Sequence, residues 1–144
     1  MTFELSPQYA AGFIDGEGCL RAQVYKHKKG GFVTTLLVAV SHSYKKILES
    51  FKNKYGGSVL IEKIKRPNRK FRYYWQLCKR NLVIRFLMDI YPYLNEKKHQ
   101  AYVLLDFCRL PRTSIKDGLY HIELMSIKIK MCQKLKILKI IQEN

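Results

Sequence analysis

Two acidic residues, Asp15 and Glu17, stand close together in the segment AAGFIDGEG, which covers residues 10–18 of this 144-residue chain. The whole chain carries 27 lysines and arginines against 11 aspartates and glutamates, a formal net charge of +16 at pH 7. A field of that sign attracts polyanions, whereas carboxylates repel phosphate groups. Carboxylates beside a phosphate backbone therefore need a specific role, which is to hold a divalent cation. Mg²⁺ is the hard cation that oxygen ligands hold beside phosphates.

The residues before the two acids suggest how a pair of carboxylates arises. Ala10, Ala11 and Gly12 form one edge of a short helix, and nothing protrudes from such an edge to keep another backbone away. Tight packing within one chain is the ordinary use of this edge. If two copies of the helix pack side by side instead, two Glu17 carboxylates arrive together. Cations held by such a pair activate water and stabilise the leaving oxygen in phosphodiester hydrolysis.

The composition indicates a folded protein that meets nucleic acid. With 47% hydrophobic and 12% aromatic residues the chain can bury a core, and its 144 residues predict a single domain, residues 1–144. The basic residues are spread along the whole chain, which favours a folded binding surface over a charged tail. Nucleic acid is the expected polyanion. An anionic membrane surface and an assembly role on a ribosome are the alternatives.

The sequence also predicts an intracellular protein with no membrane segment. The start MTFELSPQYAAG lacks the basic region and apolar run of a secretory signal. The C-terminal apolar stretch is interrupted by five lysines. Four scattered cysteines without a CxxC pair predict reduced thiols, not a zinc site. The pattern leaves open whether the compartment is a prokaryotic cytoplasm or an organelle.

Turn residues and helix caps divide the chain into elements. Ser6 and Pro7 are typical of a helix start, and Gly16 and Gly18 predict its end. The predicted elements are a helix over about residues 7–16, hairpins turning at 29–31 and 66–68 with a helix between them, helices from Asn81 and from Asn95, and a basic helical region over about 119–142. The unit α-β-β-α occurs twice. This order predicts an α+β fold in which helices back one four-stranded antiparallel sheet.

Alternation along the strands separates a polar from an apolar sheet face. Leu20, Ala22 and Val24 share one face of the first strand, and Trp75 and Leu77 share one face of the last. The third strand separates less clearly, with Ile61, Lys63 and Lys65 on the polar face and Leu60, Glu62 and Ile64 on the other. The opposite, polar face is expected to contact nucleic acid through Arg21, Gln23, Tyr25, His27, Thr35, Lys63, Lys65, Lys70, Arg72, Tyr74 and Gln76. The alternative is an ordinary solvated sheet face. A scarcity of acids and the presence of tyrosines favour the nucleic-acid interpretation.

The expected strand length sets the size of the target. A strand of about nine residues is roughly 30 Å long, which covers on the order of nine base pairs along a groove. One chain would read half of a long site, and two chains the whole of it.

The segment AAGFIDGEG resembles the motif of the LAGLIDADG homing endonucleases, with Ala10 in the place of the usual leucine and Glu17 in the place of the second acid. The resemblance extends over most of the chain, because the expected element order and strand phase also fit. It implies the αββαββα fold, whose sheet forms a DNA-binding saddle. No second copy of the motif is present, so the resemblance implies the short members, which act as homodimers on pseudo-palindromic DNA.

The resemblance also implies roles for individual residues. Glu17 matches the acid that binds the catalytic metals, with the Gly16 carbonyl as a supporting ligand, whereas Asp15 belongs to the helix end and the interface. Lys97, three residues before Gln100 in the segment KKHQA, matches an active-site lysine, and Lys98 is the alternative. His42, at the end of the second strand, stands where many relatives have a water-ordering glutamine. Lys46 corresponds to a basic residue at the start of the following helix.

The cofactor implied is Mg²⁺, for which Mn²⁺ or Ca²⁺ substitutes in the site. The dimer interface is assigned to the motif helix, at Ala10, Ala11, Gly12, Ile14 and Asp15. The function expected from the resemblance is a site-specific, intron-encoded endonuclease that cuts both strands of a double-stranded DNA site of roughly 20 base pairs, the length that two sheets span. An RNA maturase or a non-cleaving binding protein of the same fold is the alternative, as is a basic structural protein that binds any duplex alike.

Overall fold

The computed structural model describes residues 4–62 and 72–143 of the chain. Within these residues the α-helices are α1 (Pro7–Glu17), α2 (Lys45–Tyr55), α3 (Arg80–Ile90), α4 (Lys98–Arg109) and α5 (Leu119–Glu143), and the strands are β1 (Gly18–Lys26), β2 (Phe32–His42), β3 (Ser58–Glu62) and β4 (Arg72–Leu77). Short 3₁₀ turns at Tyr91–Tyr93 and Ile115–Asp117 precede α4 and α5. The order is αββαββα with two further helices, so the predicted fold class is confirmed.

The four strands form one antiparallel sheet in the order β1-β2-β4-β3. β1 pairs with β2 along its whole length, from Gly18 opposite Val40 to Lys26 opposite Phe32. β4 pairs with β2 only between Val38 and His42, because β4 ends at Leu77. The first half of β2 therefore extends beyond β4 with one edge unpaired.

The core lies between the helices and one face of this sheet. Trp75 of β4, Phe51 of α2 and Phe86 of α3 are fully buried there, with ring centroids 4.9 and 5.1 Å from Trp75 to the two phenylalanines. Each such side chain stabilises the fold by roughly 1.5–3 kcal/mol through the removal of apolar surface from water. The indole N–H of Trp75 donates to the Gly56 carbonyl (2.8 Å), which fixes the end of α2 against the sheet.

Two predicted helix ends differ from the observed ones. α1 continues through Gly16 to Glu17, and Gly18 follows as its cap with extended backbone. A Cβ on Gly18 would lie 2.7 Å from the Ile14 carbonyl oxygen, so close contact at the start of β1 requires glycine there. The helix predicted to start at Asn95 begins later, because the N-cap of α4 is Lys97, which makes no side-chain cap bond.

In the described part of the chain, none of the helices combines the length and the low polarity that crossing a bilayer would demand.

Candidate functional site

The sheet register brings the predicted polar residues to one face. Gln23 lies opposite Thr35 in the β1–β2 ladder, and antiparallel partners point to the same side. Ala39 and Ser41 continue that face along β2, where they lie opposite Gln76 and Tyr74 of β4. The face therefore holds the described members of the predicted set within the strands: Arg21, Gln23, Tyr25, Thr35, Arg72, Tyr74 and Gln76. Buried Leu20, Ala22, Val38, Val40, Trp75 and Leu77 lie on the other side.

Two of the polar-face residues at the hairpin end make local contacts. The Tyr25 hydroxyl donates to the Gln23 side-chain oxygen on the same face. His27 lies just beyond the end of β1, and its Nδ1 accepts a hydrogen bond from the Lys29 N–H (3.1 Å), so this ring helps to shape the turn. Both Tyr25 and His27 are exposed.

The third strand has the opposite phase to the one predicted. Leu60 lies opposite Tyr74 and Glu62 opposite Arg72, so these two residues belong to the polar face. Ile61, which the alternation grouped with Lys63 and Lys65, lies opposite Tyr73 on the other side. The lysines assigned to this surface at Lys63, Lys65 and Lys70 are outside the described residues.

Glu17 is the last residue of α1 and is exposed at the start of the sheet. Its Oε2 lies 3.6 Å from Nη2 of Arg72, and both side chains are about half exposed, at 52% and 48%. An exposed ion pair of this kind stabilises the fold by at most about 1 kcal/mol. The contact therefore leaves the carboxylate accessible at the edge of the polar face.

Asp15 connects the end of α1 to the start of α4. Its two carboxylate oxygens accept hydrogen bonds from the backbone N–H groups of Asn95 (2.9 Å) and Lys97 (3.0 Å). These donors are backbone groups ahead of the first turn of α4, which has no side-chain cap of its own. Asp15 thus ties together two segments that lie 80 residues or more apart in sequence.

Replacing Asp15 by alanine should lower the free energy of unfolding by about 2 kcal/mol, because two backbone donors lose a charged acceptor. Urea denaturation measures this change. Asp106→Ala is the matched control, since in the described part of the chain Asp106 makes one surface ion pair, with Arg109 at 3.8 Å. The control should change stability by less than about 0.5 kcal/mol. Equal losses in both variants would contradict the bridging role of Asp15.

Lys97 reaches back to the same helix end. Its Nζ donates to the carbonyl oxygens of Ile14 (2.9 Å) and Asp15 (3.1 Å), the last turn of α1. The side chain lines a cavity of about 310 Å³ that also contacts Gly16, Cys19 and Lys139. Lys98, the alternative candidate, packs over the Tyr91 ring instead, 5.1 Å from its centroid. Of the two lysines, Lys97 is the one at the motif helix.

Burial lowers the pKa of Lys97 below the ordinary lysine value of 10.5. The carboxylate of Asp15 opposes this effect, whereas the positive charge of Lys139 adds to it. Lys139 belongs to α5 and also lines a neighbouring cavity with Arg21 and Gln23. Lys139 was not among the predicted site residues, because no local sequence pattern shows that α5 packs against β1.

His42 does not join Glu17 on the polar face. It lies opposite Tyr73, on the helix side of the sheet, where its ring packs 5.3 Å from the Phe13 ring. Its Nδ1 accepts a hydrogen bond from the Tyr44 N–H (2.9 Å). The polar residue that β2 contributes to the polar face near its end is Ser41. The strand alternation already contained this signal, since Ser41 follows Thr35, Leu37 and Ala39 in phase.

The remaining predicted positions are Lys46 and the residues assigned to the dimer interface. Lys46 is an exposed residue of the first turn of α2, and only its carbonyl oxygen has a described partner, the hydroxyl of Ser50 (3.0 Å). The side chains of Ala10, Ala11 and Ile14 are fully buried in the core of this chain, so they are not available to a partner. Of the predicted interface only Gly12 is exposed, and Asp15 is partly so.

The donor atoms at the helix end suit a hard divalent cation. Glu17 supplies an accessible carboxylate, and the chain offers backbone carbonyl oxygens beside it. Among residues 4–62 and 72–143, no group of three or more histidine, cysteine or acidic side chains is placed to hold a metal. Mg²⁺ is commonly bound by one or two carboxylates together with substrate phosphates, so the accessible carboxylate of Glu17 fits this ion.

A family model described as LAGLIDADG endonuclease matches residues 10–109. This match covers more than half of the chain, which therefore belongs to the LAGLIDADG endonuclease family, the class that its fold and its motif helix define. No curated protein sequence matches the chain.

Solved structures of homing endonucleases share the fold. The archaeal intron-encoded homing endonuclease I-Vdi141I, solved with DNA, superposes with a TM-score of 0.73 at 20% identity, over 92% of this chain and 82% of that one. I-CvuI, solved with a DNA target in the presence of Mg, superposes with a TM-score of 0.70 at 19% identity, over 92% of this chain and 80% of that one. I-TnaI superposes with a TM-score of 0.63 at 19% identity, over 97% of this chain and 99% of that one. At these identities the likeness establishes the LAGLIDADG fold.

Proposed function

We propose that this protein is a site-specific, intron-encoded DNA endonuclease that acts as a homodimer and cuts both strands of a pseudo-palindromic site. The observation that carries the proposal is the position of Glu17. It is an accessible carboxylate at the end of the motif helix, beside a sheet face that carries Arg21, Gln23 and Arg72. A carboxylate in that place disfavours DNA binding unless a cation joins it to phosphate.

The outer edge of α1 supports the homodimer. Gly12 and Gly16 are both exposed, and a Cβ on either would meet nothing within 4 Å. Glycine inside a helix costs roughly 1 kcal/mol relative to alanine, so packing within this chain gives no reason for either residue. Four residues apart, they lie on the same side of the helix. A second copy of α1 packing on this edge explains both glycines and brings a second Glu17 to the first.

The residues around Glu17 divide the chemistry between them. Glu17 from each copy and the Gly16 carbonyl would hold Mg²⁺, for which Mn²⁺ or Ca²⁺ can substitute; I-CvuI complexes were solved with Mg and with Ca. The bound cation supplies Lewis-acid stabilisation of the scissile phosphate and a more acidic water. Lys97 would stabilise phosphate charge, and its hydrogen bonds to the Ile14 and Asp15 carbonyls, which hold it at the end of α1, support this role.

The polar sheet face would read the DNA. Arginine side chains suit guanine and glutamine side chains suit adenine in the major groove, so Arg21, Arg72, Gln23 and Gln76 are the candidate base readers. Thr35 and Tyr74, between them on the same face, suit further base or phosphate contacts. Two sheets of this length would span roughly 20 base pairs. The I-Vdi141I and I-CvuI structures both contain DNA.

Selection of cleaved duplexes from a randomised library with Mg²⁺ tests the function directly. The expected product is a set of long, nearly palindromic sites cut on both strands, and no product without divalent cations. Capture of a preferred duplex or structured RNA that is never cut would replace the nuclease by a binding protein or maturase. If duplexes of every sequence bind alike and the binding weakens steeply with salt, the chain is a basic protein that binds any duplex.

The lowered pKa of Lys97 predicts an alkaline limb in the cleavage rate. If the protonated amine stabilises phosphate charge, activity falls as pH rises past that pKa, which lies below the ordinary 10.5.

Two variants test this assignment. Arginine stays protonated at higher pH, so any activity of Lys97→Arg should not fall in this alkaline range. Lys139→Gln removes a positive charge that lowers the pKa of Lys97, so its limb should move to higher pH. Single-turnover rates between pH 7 and 10.5 measure both shifts. Identical profiles in all three proteins would contradict the assigned role.

A further inference from the structure

A second and larger cavity lies at the other end of the sheet from Glu17. It has a volume of about 550 Å³ and is enclosed by the first half of β2, the end of α4, the loop after it and α5. β1 begins at Gly18, directly after Glu17, and ends at Lys26. Lys26 lies opposite Phe32, which lines the cavity. Lys26 is eight positions after Gly18, and Ala22, which lies opposite the lining residue Leu36, is four positions after it. The cavity therefore borders the part of the sheet roughly 13–25 Å from Gly18.

Three positive charges line this cavity: Arg80 at the start of α3, Arg112 in the loop after α4, and Lys128 of α5. Among the described residues, its lining includes no aspartate or glutamate. The pKa of Lys128 is lowered, first by burial and then by the charges of Arg80 and Arg112. The three cations therefore repel one another without a carboxylate in the lining to offset the repulsion, and a bound anion would relieve this cost.

Lys128 is the most informative of the three cations. Only 3% of its surface is exposed, and long charged side chains are almost never buried this far without a partner. Its Nζ donates to the Pro111 carbonyl (3.0 Å) and lies 5.7 Å from the Phe107 ring centroid. Among the described residues, these are its one hydrogen bond and its one aromatic ring contact. A neutral carbonyl oxygen does not balance its charge, so Lys128 retains the capacity to bind an anion.

Backbone N–H groups add to the same site. The N-cap of α3, Lys79, makes no side-chain cap bond, and its neighbours Cys78 and Arg80 both line the cavity. An uncapped helix N-terminus offers free N–H donors and a partial positive charge to an anion. The edge of β2 that β4 leaves unpaired borders the cavity as well. There the Phe32 N–H points outward to His121 (3.1 Å), and Thr34 shares that orientation by alternation.

The remaining walls are apolar and aromatic. Phe32, Leu36, Phe107, Leu110 and Met125 line the cavity beside the cations. Small-molecule sites typically have a volume of about 300–1,000 Å³ and combine apolar walls with a few convergent polar groups. The volume and the composition of this cavity match that description, and they suit an anion attached to an apolar or planar body.

We propose that this cavity binds the phosphate of a nucleotide-sized ligand, with Arg80, Arg112 and Lys128 around the phosphate and the apolar wall against the rest of the molecule. The site is separate from Glu17 and stands whether or not the chain cleaves DNA. A phosphodiester from nucleic acid that flanks the main binding face is the second source of the same chemistry.

Calorimetric titration of the full chain with ADP, pyrophosphate and adenosine tests the proposal. ADP should bind saturably with one site per chain, pyrophosphate more weakly, and adenosine without phosphate should not bind. Arg112→Gln should weaken ADP binding at least tenfold, because it removes an exposed cation of the cavity without disturbing the core. Lys130→Gln is the matched control: it removes the same charge from the exposed face of α5 and should bind ADP as the wild type does.

A chemical readout on the cavity wall complements the titration. Cys78 is exposed and lines the cavity, whereas Cys19 lies at the Glu17 end of the sheet. ADP should slow alkylation of Cys78 by iodoacetamide and leave Cys19 unchanged, as measured by peptide mass spectrometry. Lys128→Met should abolish this protection; Arg112→Gln gives the same readout if the buried variant does not fold.

Nucleic acid distinguishes the two sources of phosphate. If duplexes with longer flanks protect Cys78 and ADP does not, the ligand is a flanking phosphodiester. ADP protection that duplex of any length fails to reproduce assigns the site to a free nucleotide. The proposal is overturned if neither ligand protects Cys78, or if Arg112→Gln and Lys130→Gln weaken ADP binding equally, since the binding would then reflect only the net charge of the chain.

Discussion

Replacing Glu17 by glutamine is expected to abolish cleavage of the selected DNA site, with a loss of at least about 1,000-fold, on the scale of removing one key electrostatic group from an active site. Glutamine keeps the size of the side chain but removes the charge that a divalent cation requires. Glu17 is half exposed, and among the described residues its one ion pair is with Arg72 at 3.6 Å, so the change should leave the fold intact. Binding to the site should persist or strengthen, since a carboxylate no longer faces phosphate. Gel-based cleavage and fluorescence anisotropy measure the two effects separately.

The polar face provides a matched control for this variant. Glu62 is an exposed acid on the same face and lies opposite the same arginine, Arg72. Glu62→Gln should therefore alter DNA binding by a similar amount and leave the cleavage rate within a few-fold of the wild type. Loss of cleavage in both variants would show that acids on this face act only through the general field, and would remove Glu17 from its assigned role.

The second large effect is expected from Gly12→Leu. A Cβ at Gly12 would meet no described atom within 4 Å, and the residue is exposed, so the monomer should fold as before. Leucine also favours a helix over glycine by up to about 1 kcal/mol, so the thermal stability of the monomer should rise. The same side chain would separate two α1 helices that pack on this edge. Dimer formation and double-strand cleavage should both fall by more than tenfold, which sedimentation and plasmid linearisation measure.

A leucine placed elsewhere controls for added surface hydrophobicity. Asn53 is exposed on α2, and Asn53→Leu should leave both dimer formation and cleavage unchanged. A Gly12→Leu protein that still sediments as a dimer and cuts both strands would show that α1 is not the contact between copies.

Sequence alternation predicted the polar face correctly in the strands whose opposite face is buried. In β1, β2 and β4 the alternate residues Leu20, Val38 and Trp75 are fully buried, and such strands specify their phase strongly. β3 has no fully buried residue, so its hydrophobic pattern gave no reliable phase, and Ile61 and Glu62 were assigned to the wrong faces. The error comes from a strand that is exposed on both sides.

At the candidate site, the contacts that depend on tertiary packing could not be predicted from the sequence. The resemblance gave His42, at the end of the second strand, the water-ordering role near the metals, although alternation from Thr35 along the polar face leads to Ser41. The contacts of Asp15 with Asn95 and Lys97 span 80 residues or more, and no local pattern predicts which backbone donors a carboxylate finds. The approach of Lys139 to Lys97 likewise depends on how α5 packs.

The central claim is that two copies of this chain meet on one duplex and place one Glu17 from each at the scissile bonds. Sedimentation velocity of the Glu17→Gln protein with its selected duplex tests this most directly, because the complex forms and the DNA stays uncut. Two chains per duplex are expected at saturation, with no intermediate complex of one chain at equal concentrations. A stable complex of a single chain on the full-length site would contradict it.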